Sequence, residues 1–134
     1  MPRKVLFCSH AAERTGPPII MLHLARWLRA NTDVDFELLF LQGGELEEEF
    51  RSLAPVWILD EWAPPRAAAV AESLAWKVGL GRFAPGIREA AIRRRMRDVR
   101  DVDVVYVNTA GSVRALRYLD IGEPDVITHV HELS

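Results

Sequence analysis

Side chains able to hold a ligand or move a proton fall in three short stretches, each directly behind an apolar run. Ser9 and His10 follow Lys4-Val-Leu-Phe-Cys8, Asn108 and Thr109 follow Val102-Asp-Val-Val-Tyr-Val107, and His131 and Glu132 follow Asp125-Val-Ile-Thr-His-Val130. If the runs are strands of one parallel sheet, all three stretches meet at its carboxyl edge, where open α/β sheets bind ligands. Behind the first run comes Ala11-Ala-Glu-Arg-Thr-Gly-Pro-Pro18. Arg14 can pair with phosphate or carboxylate. Gly16 and the helix start behind it can offer N–H groups to an anion. Each residue also has a plainer reading: Arg14 solvated, Gly16 relieving a turn, Asn108 and Thr109 capping a helix.

Other candidates are weaker. His129 and His131 share one strand face by period two, which suggests a metal site, but a third ligand is missing. Cys8 sits inside a strand pattern and reads as a buried, inert thiol. His23 lies within a helical pattern and reads as packing or surface. No G-x-G-x-x-G, no phosphate-binding lysine loop, no G-x-S-x-G elbow and no zinc spacing occurs in the sequence.

The elements that must position these residues follow from periodicity. Lys4 to Ser9 reads as a strand whose Val5-Leu-Phe-Cys8 core is continuously apolar, as expected of a central parallel strand covered on both faces. A loop over residues 10–16 leads to a helix that Thr15 can cap and that Pro17 and Pro18 can open. Ile20, Leu24 and Leu28 mark its buried face. Phe36 to Leu41 is a second strand, Glu45 to Phe50 opens a short acidic helix, and Val56 to Leu59 is a third strand. Arg66 to Val78 and Ile87 to Val99 give two helices where one crossover needs one, an insertion. Val102 to Val107 is a fourth strand, a helix through Val113, Leu116 and Leu119 follows, and Asp125 to Val130 is a fifth strand. The fold expected is a three-layer Rossmann-like α/β domain of about five parallel strands in order 3-2-1-4-5.

Composition narrows the class. The 134 residues suit a single domain, and a net charge of −2 gives no reason to expect nucleic acid. The charge is uneven. Nine acids against one base lie between Asp33 and Glu61, and seven arginines against two acids between Arg82 and Arg100. The arginines read as a solvated helix face; an anionic surface is the other reading. Trp62, Trp76, Leu80 and Phe83 read as a cover for the sheet, and otherwise as an acceptor or membrane-surface patch. One cysteine, no signal-peptide pattern and no spanning segment suit a reducing cytoplasm, with a peripheral membrane position if the patch reading holds.

Taken in order, Lys4-Val-Leu-Phe-Cys-Ser-His10, the Arg14-Thr-Gly-Pro-Pro18 loop, the Ile19-Ile-Met-Leu-His-Leu-Ala-Arg-Trp-Leu28 helix, Gly43-Gly-Glu-Leu-Glu-Glu-Glu-Phe50, Val105-Tyr-Val-Asn-Thr109 and Thr128-His-Val-His-Glu-Leu133 resemble the opening of family 4 glycosyltransferases. The resemblance spans nearly the whole chain except residues 62–100. It implies a retaining enzyme of GT-B architecture, two Rossmann-like domains across a cleft, with a nucleotide sugar as substrate and no cofactor or metal. It puts Arg14, Thr15 and Gly16 near the donor diphosphate, and Ser9, His10, Asn108, Thr109 and Glu132 around the substrates. His131 is expected beside the transferred sugar, hydrogen bonding and orienting it. Gly16 is followed by proline where the family has a second small residue, so one amide donor is lost. Most nucleotide recognition in the family comes from a second domain. This chain is therefore expected to be an N-terminal, acceptor-side part, inactive alone, with strand 125–130 as an exposed edge prone to self-association. The competing expectation is a non-catalytic α/β ligand-binding or interaction module of flavodoxin or receiver type.

Overall fold

A strand whose core is apolar at successive positions can be buried only if both sheet faces are covered. That condition is met at β1 (Lys4–Ala11), the middle of a five-stranded sheet. The other strands are β2 (Asp35–Gln42), β3 (Val56–Ile58), β4 (Val104–Val107) and β5 (Asp125–Thr128). All pairings are parallel and the order is β3-β2-β1-β4-β5, as the sequence predicts. The structure, a computed structural model, describes residues 3–60 and 66–130. Trp62 therefore lies outside the described residues, as do His131 and Glu132.

Alternation along β1 splits its side chains between two cores. Leu6 and Cys8 join Leu39, Val105 and Val107 on one face, closed by Ile92 and Met96 of α4 (Ala84–Met96) and by Ala115 and Tyr118 of a 3-10 helix (Ala110–Tyr118). Phe7 joins Phe36, Leu38 and Phe40 on the other. That face is closed by Met21, Leu22 and Ala25 of α1 (Gly16–Asn31) and Phe50 of α2 (Glu47–Arg51). The Phe7 ring meets Phe36 edge-on at 5.8 Å, a favoured aromatic geometry.

Several expectations need correction. β1 continues to Ala11, so His10 belongs to the strand rather than to a loop. The helix behind β4 forms as a 3-10 helix and ends at Tyr118, one residue before Leu119. The inward stripe of α1 is Pro18, Met21, Leu22 and Ala25, while Ile20 is 51% exposed. Pro18 is itself buried, and counting i, i+3, i+4, i+7 from it reproduces the stripe.

The largest correction concerns residues 66–100. Trp76, Leu80 and Phe83 do not cover the sheet. They are 69%, 46% and 52% exposed. The sheet face on that side is already closed by α4 and the 3-10 helix, so α3 (Arg66–Lys77) packs on α4 instead. Only two small side chains of α3, Ala68 and Ala75, are buried.

Candidate functional site

The carboxyl ends of β1, β4 and β5 lie at one edge of the parallel sheet, and the crevice between β1 and β4 is the point where strand order reverses. The Asn108 N–H donates to the Cys8 carbonyl at 2.8 Å, extending the β1–β4 pairing by one residue. Its side-chain amide points toward α1. Nδ2 donates to the Pro17 carbonyl at 2.9 Å and approaches Ser9 Oγ at a long 3.5 Å. Ser9 and Asn108 are each 1% exposed. They fasten the first turn of α1 to the two strand ends from beneath. Thr109 flanks the 3-10 helix, and its hydroxyl is within 2.6 Å of Ser112 Oγ. The Thr109 side chain makes no cap bond to that helix.

Thr15 occupies the N-cap position of α1 in an extended conformation, also without a side-chain cap bond. Its carbonyl accepts from the Ile19 N–H at 3.1 Å, and its own N–H goes to the Glu13 carbonyl at 2.8 Å. A helix start normally presents four N–H groups without intrahelical partners. Pro17 and Pro18 have none to present, so among the described residues Gly16 supplies the one uncommitted amide of this turn. No atom lies within 4 Å of where a Gly16 Cβ would stand, so the space above it is open.

Arg14 is already engaged. Its Nη2 pairs with Glu49 Oε1 at 3.0 Å, and Glu49 also takes Arg26 at 2.6 Å. The Arg14 N–H donates to Glu45 Oε1 at 3.2 Å. The turn between β2 and α2 thus grips the loop behind β1. Leu46 N–H donates to the Ala12 carbonyl at 2.8 Å, and the contact needs Gly44, where a Cβ would stand 2.3 Å from that same carbonyl oxygen. Local sequence marks Gly44 only as part of a turn. Its signal was present in Gly43-Gly44 at the end of β2, but the partner lies more than thirty residues away in the chain.

The remaining candidates spread out. His10 is exposed, and alternation puts it on the opposite sheet face from Ser9, Ala11 and Asn108. His129 follows β5, where its Nδ1 lies 2.7 Å from the Tyr106 hydroxyl. Burial pushes the Tyr106 phenol up from its ordinary range. Nothing in the sequence pairs this tyrosine with a histidine; the β4–β5 register, Tyr106 beside Ile127, brings it to His129. Burial likewise pushes the Cys8 thiol up to about 12, so it is a protonated core side chain at neutral pH. Among the described residues no group of three or more His, Cys, Asp or Glu could hold a metal ion. Those residues offer hydroxyls, a guanidinium, imidazoles and one helix amide, a set suited to hydrogen bonding and charge pairing. Comparison with family models, with curated proteins and with solved structures returned no match to this chain.

Proposed function

We propose that this chain is the N-terminal, acceptor-side part of a retaining glycosyltransferase, one that moves a sugar from a nucleotide-sugar donor to an acceptor. A second, nucleotide-binding domain would complete the cleft, and the part described would not turn over alone. The observation that carries this reading is the switch point between β1 and β4, with α1 starting directly above it. In this reading the donor diphosphate meets the Gly16 amide, Thr15 and Arg14. Arg14 is exposed and Glu49 half-buried, and a pair this accessible is worth about 0–1 kcal/mol, so a phosphate can compete with the carboxylate for Arg14. Ser9 and Asn108 hold the turn in place. His10, Thr109 and Glu132 complete the substrate contacts and His131 orients the transferred sugar, by the resemblance described above.

A second reading is a non-catalytic α/β binding or interaction module. It is favoured by the acids Glu45 and Glu49 beside Arg14 and by the two prolines that strip amides from the helix start. Both features weaken an anion cradle.

Amide NMR during titration with uridine, guanosine and adenosine diphosphate sugars separates the two. The glycosyltransferase reading expects one nucleotide class to bind with a Kd of about 1 mM. It should move the Thr15, Gly16 and Ile19 amides, and Arg14→Ala should weaken it several-fold. Amides that stay still with every donor overturn it. Flavin absorbance in the purified protein selects the module instead.

A further inference from the structure

Helix α3 is built inside out. Its buried residues are the small Ala68 and Ala75, whereas its larger apolar residues face solvent: Val70 is 54% exposed and Leu74 55%. Arg66, Val70, Leu74 and Val78 recur every four residues, so they form one stripe opposite the buried alanines. Lys77 lies beside Leu74 on that stripe. The turn that follows extends the surface with exposed Leu80 and Phe83, and the Arg82 guanidinium sits 4.8 Å over the Phe83 ring. A cluster of exposed large apolar side chains of this kind marks an interaction site in a folded protein.

Charge identifies what it fits. Residues 66–100 hold nine bases and three acids, a net of +6 in a chain whose total is −2. Each of the three acids is paired: Glu72 with Arg88, Glu89 with Arg93 and Asp98 with Arg100. Among the described residues Arg66, Lys77 and Arg82 have no ion-pair partner, and they border the apolar stripe. Beside α3, an apolar cleft lined by Ala67, Ala68, Ile87, Ala90 and Ala91 opens under Arg94. Large apolar side chains facing outward with unpaired cations at their border are the pattern of a helix that lies in the headgroup region of an anionic bilayer. A second copy docking through its own α3 face is a poor occupant, because two faces of net positive charge would repel.

We propose that α3 and the turn through Phe83 are a docking surface for an anionic phospholipid bilayer, seated on its interface without crossing it. No helix among the described residues is long and apolar enough to cross a membrane. The stripe supplies insertion and the cations supply selectivity for negative headgroups. The proposal stands apart from the sugar-transfer reading, since α3 makes its main contacts with α4 and the turn that follows it.

Vesicle flotation of the full chain tests it. Vesicles of phosphatidylcholine with about one-third phosphatidylglycerol should carry the protein, and pure phosphatidylcholine should carry about tenfold less. Raising salt should release it. Leu74→Glu with Val78→Glu should abolish flotation while leaving far-UV circular dichroism unchanged, since both positions are exposed. A milder variant, Leu74→Ser, should weaken it, and Arg66→Gln with Lys77→Gln and Arg82→Gln should erase the preference for phosphatidylglycerol. The proposal is overturned by no flotation on either vesicle, by equal flotation of the Glu variant, or by capture of an acidic protein without any vesicle binding.

Discussion

Asn108 shows how one buried amide can organise a strand end. Its backbone N–H continues the β1–β4 ladder while its side chain holds the Pro17 carbonyl, so two elements ninety residues apart are tied at one point. The Pro17 carbonyl is part-buried and keeps its place in α1, so what is lost is one side-chain hydrogen bond, worth about 0.5–1.5 kcal/mol. Asn108→Ala should therefore lower unfolding free energy by that amount in urea titration. An unchanged midpoint would mean that the amide holds nothing. The residue type and its place behind a strand were legible in the sequence, and the choice between cap, ligand and tether was not. That choice depends on where Pro17 lies, and Pro17 reaches Asn108 only once α1 has packed. The same holds for Arg14, whose guanidinium is suited to phosphate by type but is claimed by Glu49 from α2.

At the scale of elements, the loop behind β1 is held by a close approach of backbones rather than by its own composition. Gly44 touches the Ala12 carbonyl so closely that any Cβ must displace main chain. Gly16 has open space around it. Gly44→Ala should cost about 2 kcal/mol or more. Gly16→Ala should be neutral or stabilise by about 0.4–1 kcal/mol, by narrowing the unfolded ensemble. Thermal and urea unfolding of the two variants side by side give the comparison, and equal effects would refute this account of the loop. Helix α3 makes a related point. Its alanine-rich sequence predicts a helix, and the helix forms, but periodicity could not say which of its two apolar stripes faces inward. The alanine stripe does: Ala68 and Ala75 are the buried side chains of α3, and α4 is the helix it packs on.

For the molecule as a whole, the sheet is closed by helices over β1 and β2 and uncovered at β5. All four residues of β5 are exposed, with Val126 and Ile127 at 51% and 52%, and its one strand partner among the described residues is β4. An edge with apolar side chains and open backbone groups recruits further strands. Light scattering should give an apparent mass that rises over about a hundredfold range of concentration, and Ile127→Lys should suppress the rise. A constant monomer mass across that range would sink the idea. The charge distribution divides the molecule in the same coarse way: acids collect around β2 and α2, and arginines on α3 and α4.

By itself the sequence determined the parallel five-stranded order and the two-sided core. Continuous apolar runs admit no other solvation, and right-handed crossovers leave few topologies. It also determined that the polar residues behind β1 and β4 converge at one edge, because parallel strands end together. Tertiary structure alone decided how those residues are used. Whether Asn108 tethers or binds, whether Gly44 or Gly16 is indispensable, which stripe of α3 is buried and which acid holds Arg14 all turn on contacts between segments far apart in the chain. Spacing within one segment carries no record of its distant neighbours. The apolar residues of 70–83 make the difference plain: their side chains favour burial, and only the prior closure of the sheet by α4 and the 3-10 helix leaves them facing outward.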